Sequence, residues 1–443
     1  MLFAKNRILQ LAAMLAAALL ALPAAAGERV RLDVSLGTPV MLAGQTQTAY
    51  LKVGLEGFSV AGGRRAPANV AIVIDRSGSM SGEKLARAKE AAILAVDRLG
   101  PDDIVSIIAY DHDVDVIVPA TYVRQRGEIH RRISAIRARG NTALFAGVAR
   151  GAREVRRFAD THRVNRIVLL SDGLANVGPS SPGELAELGW SLAKEGISVT
   201  TIGLGRDYNE DLMASLARMS DGNHAFVADA ADLARVFGYE FNDVLSVVAR
   251  EVEVRVRFAR GTRPVRVLGR PAEIYDRTVV ARLNQLYSGQ EKYLMIETQI
   301  PAGQAGSRIE VAEVEVRYAN SIHRTTDVLG AAAVVTFSTS VAEVERARND
   351  GVLVASVELI ANETAKRVVE YRDQGRITEA ERLLDNNAAF LEDNARKYKS
   401  ERLQKGAARQ RAARPKIADP SQWNEQRKSM RHQEQAIDMQ QAF

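Results

Sequence analysis

The 443-residue sequence contains no cysteine. Disulfides, thiolate metal sites, cysteine nucleophiles and a lipid anchor on a cleaved N-terminal cysteine are therefore all excluded. Aromatic residues make up only 5% of the chain. Beyond Tyr398 only Trp423 and Phe443 remain, so a base-stacking nucleic-acid platform is not expected there. The six histidines, His112, His130, His162, His224, His323 and His432, are scattered without a paired zinc spacing. Each is expected to be a surface or hydrogen-bonded core residue. No apolar run reaches the ~20 residues that a bilayer-spanning helix requires. The longest, Ile8–Leu22, is broken by Gln10, preceded by Lys5 and Arg7, and followed by "LPAAAGE". That layout predicts a secretory signal peptide over residues 1–26, cleaved after Ala26, with a retained anchor as the alternative. Export to the periplasm, the cell surface or the medium is the expectation.

The net charge of +6 is not spread evenly: Arg396–His432 holds twelve Lys and Arg against three Asp and Glu, leaving the rest of the chain net negative. Residues 396–443 lack an apolar stripe and are expected to form a flexible basic tail. An anionic surface is a candidate partner for that tail.

Three zones precede it. In "RVRLDVSL" and "TAYLKVGL", alternate positions (Val30, Leu32, Val34, Leu36; Ala49, Leu51, Val53, Leu55) are apolar, as a half-buried strand requires. The same alternation returns after Arg250 in "EVEVRVRF" and "EVEVRY". Between them, residues 67–248 read as apolar runs alternating with amphipathic helices, the pattern of a doubly wound, mainly parallel α/β sheet. "YDHDVDV" marks one antiparallel edge strand. The economical arrangement pairs residues 27–66 with 249–339 in one antiparallel β domain, with the α/β unit inserted between them. Residues 340–395 read as a helical hairpin split at Gly375.

In a doubly wound sheet, ligands bind outside the carboxyl ends of the strands. Three segments place short oxygen side chains there: "DRSGSM" with Asp75, Ser77 and Ser79, "GNTAL" with Thr142, and "SDG" with Asp172. Taken singly, Ser77, Ser79 or Thr142 would read as a helix cap. Taken together, five oxygen donors on one edge read as a hard-cation site, for Mg²⁺ first and Ca²⁺ or Mn²⁺ otherwise. Asp111, Asp113 and Asp115 alternate in "DHDVDV" and read as a solvated hairpin face rather than a small calcium site. Enzyme motifs fail on specific residues. Met80 stands where a nucleophile elbow starting at Gly78 needs Ser, and Glu83 where a phosphate loop needs Gly. Ser77 stands where a phosphoaspartyl hydrolase needs its second acid.

"DRSGSM", the Thr of "GNTAL" and the Asp of "SDG" resemble the metal-ion-dependent adhesion site of von Willebrand factor type A domains, over Ala68–Val248. Asn141 departs from the glycine that many members carry before the Thr. The resemblance implies direct coordination by Ser77, Ser79 and Thr142, with Asp75 and Asp172 acting largely through water. It also implies an open cation position for an Asp or Glu carboxylate of a protein partner, hence adhesion and not catalysis. The whole layout more loosely resembles bacterial proteins akin to inter-alpha-trypsin inhibitor heavy chains. The alternative is a structural or assembly factor of the envelope that acts through its β and helical regions.

Overall fold

The computed structural model describes residues 28–440 apart from 61–64, 161 and 206. The expected signal peptide lies outside the described residues. The chain begins with three strands, β1 (Arg31–Leu36), β2 (Val40–Leu42) and β3 (Gln47–Glu56). It then enters a six-stranded sheet: β4 (Ala68–Asp75), β5 (Ile104–Tyr110), β6 (Val114–Tyr122), β7 (Val164–Ser171), β8 (Ile197–Leu204) and β9 (His224–Val227). The spatial order is β6-β5-β4-β7-β8-β9, parallel except for the edge strand β6. The chain leaves β4 for β5 on one side and later returns to β7 on the other, so the order reverses around β4.

Six helices cover the two faces: α1 (Glu83–Arg98), α2 (Arg126–Ser134), α3 (Leu144–Arg156), α4 (Pro182–Lys194), α5 (Glu210–Met219) and α6 (Leu233–Leu245). The two-residue period of β4 explains why its run is apolar throughout. Val70, Ile72 and Ile74 join the core beneath α1 and α6, while Ala71 and Val73 join the opposite core with α3 and α5.

Strands β10 (Val247–Phe258), β11 (Arg263–Leu268), β12 (Glu273–Tyr275), β13 (Thr278–Tyr287), β14 (Glu291–Ile300), β15 (Arg308–Asn320) and β16 (Thr326–Ser338) follow. They meet the N-terminal strands in two sheets, ordered β1-β3-β14-β11 and β12-β13-β10-β15-β16-β2. Both ends of the chain thus contribute to both sheets, and the sheets share one core in which Leu51 and Val53 meet Val254, Val314 and Val335. The expected antiparallel β domain, with the α/β unit inserted, is built as two sheets, and the parallel pairing of β2 with β16 departs from the antiparallel pattern.

The helical part comprises α7 (Val341–Ala347), α8 (Asp350–Asp373), α9 (Ile377–Tyr398), α10 (Glu401–Ala418) and α11 (Pro420–Met439). Gly375, at φ +77°, makes the turn between α8 and α9. The expected flexible tail is corrected: residues 401–439 are two helices folded back on the molecule. Their apolar anchors are sparse, with Leu403, Ala407, Ala413, Ile417 and Met430 buried, so no stripe is visible in sequence. Ion pairs to distant acids complete the packing. Arg402 meets Glu358, Arg414 meets Asp385, and Arg427 meets Glu210, Asp211 and Asp373. Buried Lys428 sits 2.6 Å from Glu210 and donates to the Tyr208 carbonyl at 2.9 Å. The basic tail is therefore matched to the acidic body, and α11 ties the helices to α5 and β9. Among the described residues no helix is long and apolar enough to cross a membrane.

Candidate metal centre

Asp75 is the last residue of β4, and Asp172 follows the last residue of β7. The two carboxylates thus stand at the carboxyl ends of neighbouring strands, where the sheet order reverses. After Asp75 the chain makes a short 3-10 turn, Gly78–Met80, pinned by the fully buried Met80 side chain. The Thr142 loop is laced to that turn: the Arg139 N–H donates to the Arg76 carbonyl at 2.7 Å, and the Gly78 N–H to the Gly140 carbonyl at 3.0 Å. On its other side, the Thr142 N–H donates to Asn176 Oδ1 at 2.9 Å, and the Asn176 N–H returns to the Thr142 carbonyl at 3.1 Å. Backbone hydrogen bonds thus hold all three segments against one another.

The five expected residues come together. Ser77 Oγ lies 3.1 Å from Ser79 Oγ, and Ser79 Oγ donates to Asp172 Oδ1 at 2.7 Å. None of the three hydroxyls is used as a helix cap. Ser77 precedes the 3-10 turn without a side-chain cap bond, α1 is preceded by Gly82, and α3 by Ala143. The helix-cap reading of these residues therefore fails, which leaves their lone pairs for another purpose.

Gly173 shows where they point. A methyl group built on its Cα would lie 3.3 Å from Thr142 Oγ1, 3.5 Å from Ser79 Oγ and 4.0 Å from Ser77 Oγ. Three hydroxyl oxygens from two loops converge beside the Gly173 Cα, where a methyl group would crowd Thr142 Oγ1. Neutral hydroxyls plus two carboxylates form an all-oxygen donor set, and such a set suits a hard divalent cation. The residues present fit that group.

Four neighbours of these residues went unrecognised in the sequence. Ser171 donates to Asp75 Oδ2 at 2.7 Å, and the Tyr110 hydroxyl approaches the same oxygen at 3.4 Å, while the Ser77 N–H donates to Asp75 Oδ1 at 2.8 Å. Burial raises the Asp75 carboxyl above its usual range against the pull of these donors, and the Asp172 charge adds to the rise. Burial, then the Asp75 charge, lifts the Tyr110 phenol well above its usual range, so it stays a donor. Lys84, in the first turn of α1, places its ammonium 2.5 Å from Asp172 Oδ2. Gly173 is the fourth. A serine ending a strand, a lysine on a helix and one more glycine carry no signature by themselves.

The neighbouring "DHDVDV" segment behaves differently. Asp111, His112 and Asp113 bring ligand-type atoms together, yet Asp111 is not solvated as expected. It is fully buried, with Arg76 Nε at 2.7 Å and Arg139 Nε at 2.8 Å on one oxygen. Burial works to raise its carboxyl, but the Asp113 N–H and the two guanidiniums outweigh it and hold it low. Asp115, half exposed, pairs with the same two arginines at 2.5 and 3.1 Å.

The model of the von Willebrand factor type A domain matches residues 69–238. Residues 69–238 have the von Willebrand factor type A fold. Curated relatives include an uncharacterised protein of Synechocystis, 27% identical over 60% of this chain and 65% of its own length. Another is the uncharacterised protein YfbK of Escherichia coli, 28% identical over 43% and 33%. Inter-alpha-trypsin inhibitor heavy chain H3 of the rat is 27% identical over 42% and 22%. The chain thus spans under two thirds of the first of these and a third or less of the others. Two solved structures share the fold. A von Willebrand factor type A protein from Catenulispora acidiphila superposes with a TM-score of 0.68 at 16% identity, covering 83% of this chain and 87% of that one. The ArnB paralog VWA2 from Sulfolobus acidocaldarius gives 0.61 at 17% identity, covering 92% and 98%. Both likenesses extend well beyond the 170-residue domain match.

Proposed function

We propose that this protein is an exported, metal-dependent binding protein that grips a carboxylate of a protein partner through a divalent cation. A von Willebrand factor type A domain points to protein binding, and the observation that carries the finer reading is the convergence of Ser77, Ser79 and Thr142 hydroxyls beside Gly173. Ser77, Ser79 and Thr142 would hold the ion, with Asp75 and Asp172 supplying charge behind it. Bound there, the cation offers an electrophilic position to an anionic oxygen, because neutral hydroxyls leave its charge largely unquenched. Mg²⁺ is the first choice and Ca²⁺ or Mn²⁺ the alternatives. The chain's own residues do the positioning: Ser171 and the Ser77 N–H fix Asp75, while Lys84 pairs with Asp172 until a cation arrives. Export is supported by the basic and apolar N-terminal layout. Removal of residues 1–26 would then leave the protein in the cytoplasm.

The test is capture of a partner from the producing cell's own envelope extract, with wild type against Asp75→Ala, with and without EDTA. Binding lost in both treatments is expected; binding that survives both would overturn the reading. A second reading, an assembly factor with an incidental metal site, is favoured by the contacts of α11 with both α5 and α8. Under it Asp75→Ala binds normally, while loss of the helical region abolishes binding.

A further inference from the structure

An open groove of about 550 Å³ runs between the edge strand β6 and the end of α2 with its following loop. Arg76, Arg132, Arg137 and Arg139 line it, and Asp115 is the one acid in its wall, over a floor that includes Val116 and Ile117. The groove abuts the metal centre through the chain itself. Arg76 stands between Asp75 and Ser77, and Arg139 belongs to the loop that carries Thr142, hydrogen-bonded to Arg76 through the backbone.

The charges around the groove do not cancel. Asp111 and Asp115 are shared by Arg76 and Arg139, and Asp113 lies 4.0 Å from Arg139. Glu128 is shared by Arg131 and Arg132. Arg137 and Lys89 instead converge on the Ser134 and Ile136 carbonyls, at 3.0 to 3.4 Å. No carboxylate lies within ion-pair distance of either among the described residues. Exposed Arg137 engages only its Nη1, so most of its guanidinium fork is available to an arriving carboxylate.

We propose that this groove receives an acidic segment of the partner, contiguous with the carboxylate that the metal centre holds. This rests on the metal-dependent reading and deepens it: the partner carries not one acidic residue but a short acidic run. One carboxylate seats at the cation, and those beside it in sequence meet Arg137, Arg132 and Lys89. An extended acidic peptide fits better than a rigid polyanion. The groove holds only about 550 Å³, Val116 and Ile117 are in its lining, and Arg76 and Arg139 join it to the segments that carry Asp75, Ser77 and Thr142.

The test uses the full chain and two fluorescein-labelled octapeptides in Mg²⁺, read by anisotropy. One has a single Asp in a Gly/Ser background; the other has the same Asp followed by three Glu. The acidic run should bind at least about tenfold tighter, an advantage that falls with added salt. In the Arg132→Gln/Arg137→Gln variant, both exposed positions, the advantage should vanish while single-Asp binding stays unchanged. Equal binding of the two peptides by wild type, or an advantage that survives the double variant, would overturn the proposal. So would tighter Arg137-dependent binding of a single-stranded oligonucleotide or a phosphatidylglycerol vesicle. If EDTA leaves both peptides bound, the metal-dependent reading falls instead. If EDTA releases both while the advantage is absent, only the groove is overturned.

Discussion

Two oxygen-rich clusters lie side by side on the same edge of the α/β sheet, and they are built on opposite principles. Around Asp111, His112, Asp113 and Asp115 carboxylates are plentiful, but Arg76 and Arg139 already answer them. Around Asp75 and Asp172 only two carboxylates stand, yet three hydroxyls converge with no capping duty and no steric filler at Gly173. The counter-charge explains the opposite directions of the two buried carboxyls: Asp111 is held low by its guanidiniums, and Asp75 is pushed up by its burial. The candidate cation site is therefore marked by converging hydroxyls rather than by the number of acids.

The sharpest way to break the comparison is to remove one carboxylate from each cluster. Asp75→Ala should cost about 10- to 100-fold in Mg²⁺ or Mn²⁺ affinity by calorimetric titration, the usual loss when a group behind the direct ligands is removed. Asp111→Asn should leave that affinity within about threefold and instead destabilise the fold. It removes the shared acid from two guanidiniums, one buried and one half exposed, so a loss on the order of 2–3 kcal/mol in urea unfolding is expected at neutral pH. The pH dependence follows from the depressed Asp111 carboxyl. Its stabilising effect is present above the ordinary carboxylate range and is lost as pH falls through its lowered pKa. The deficit of Asp111→Asn against wild type should therefore shrink on acidification, and a deficit that grows would contradict the pairing.

Next in size is Gly173→Ala, which places a methyl group among the three hydroxyls. A fall of about tenfold in metal affinity is expected, with thermal stability nearly unchanged. The smallest effect belongs to Lys84→Gln. Without the ammonium, Asp172 is freed toward a cation, so affinity should rise a few-fold, to about tenfold at low salt, and the gain should shrink as salt screens the site. Weaker binding in that variant would show that Lys84 positions Asp172 rather than competing for it.

The same contrast explains what the sequence made legible. The convergence of the five candidate residues was readable because buried parallel strands are continuous β-branched runs, so the ends carrying Asp75 and Asp172 could be located within a residue or two. The element order of the α/β sheet, including the antiparallel β6, followed from the same runs. Asp111 was misread as solvated because its partners, Arg76 and Arg139, sit 35 and 28 residues away. Helices α10 and α11 were misread as flexible for a related reason. Arg427 reaches Glu210 and Asp211 across more than 200 residues, and local periodicity carries no trace of such pairing. Hydrophobic patterning is local and visible, whereas charge matching is global and appears only once the fold brings the partners together.

The central claim is that the hydroxyl cradle, and not the acid cluster beside it, binds the cation. Mn²⁺ titration followed by electron paramagnetic resonance, on wild type, Thr142→Val and Asp113→Asn, tests it most directly. Thr142→Val keeps the side-chain shape and removes one lone-pair donor, while Asp113→Asn removes a charge from the neighbouring cluster. The account predicts one tight site in wild type and in Asp113→Asn, and none in Thr142→Val. A tight site that persists in Thr142→Val and disappears in Asp113→Asn would contradict it.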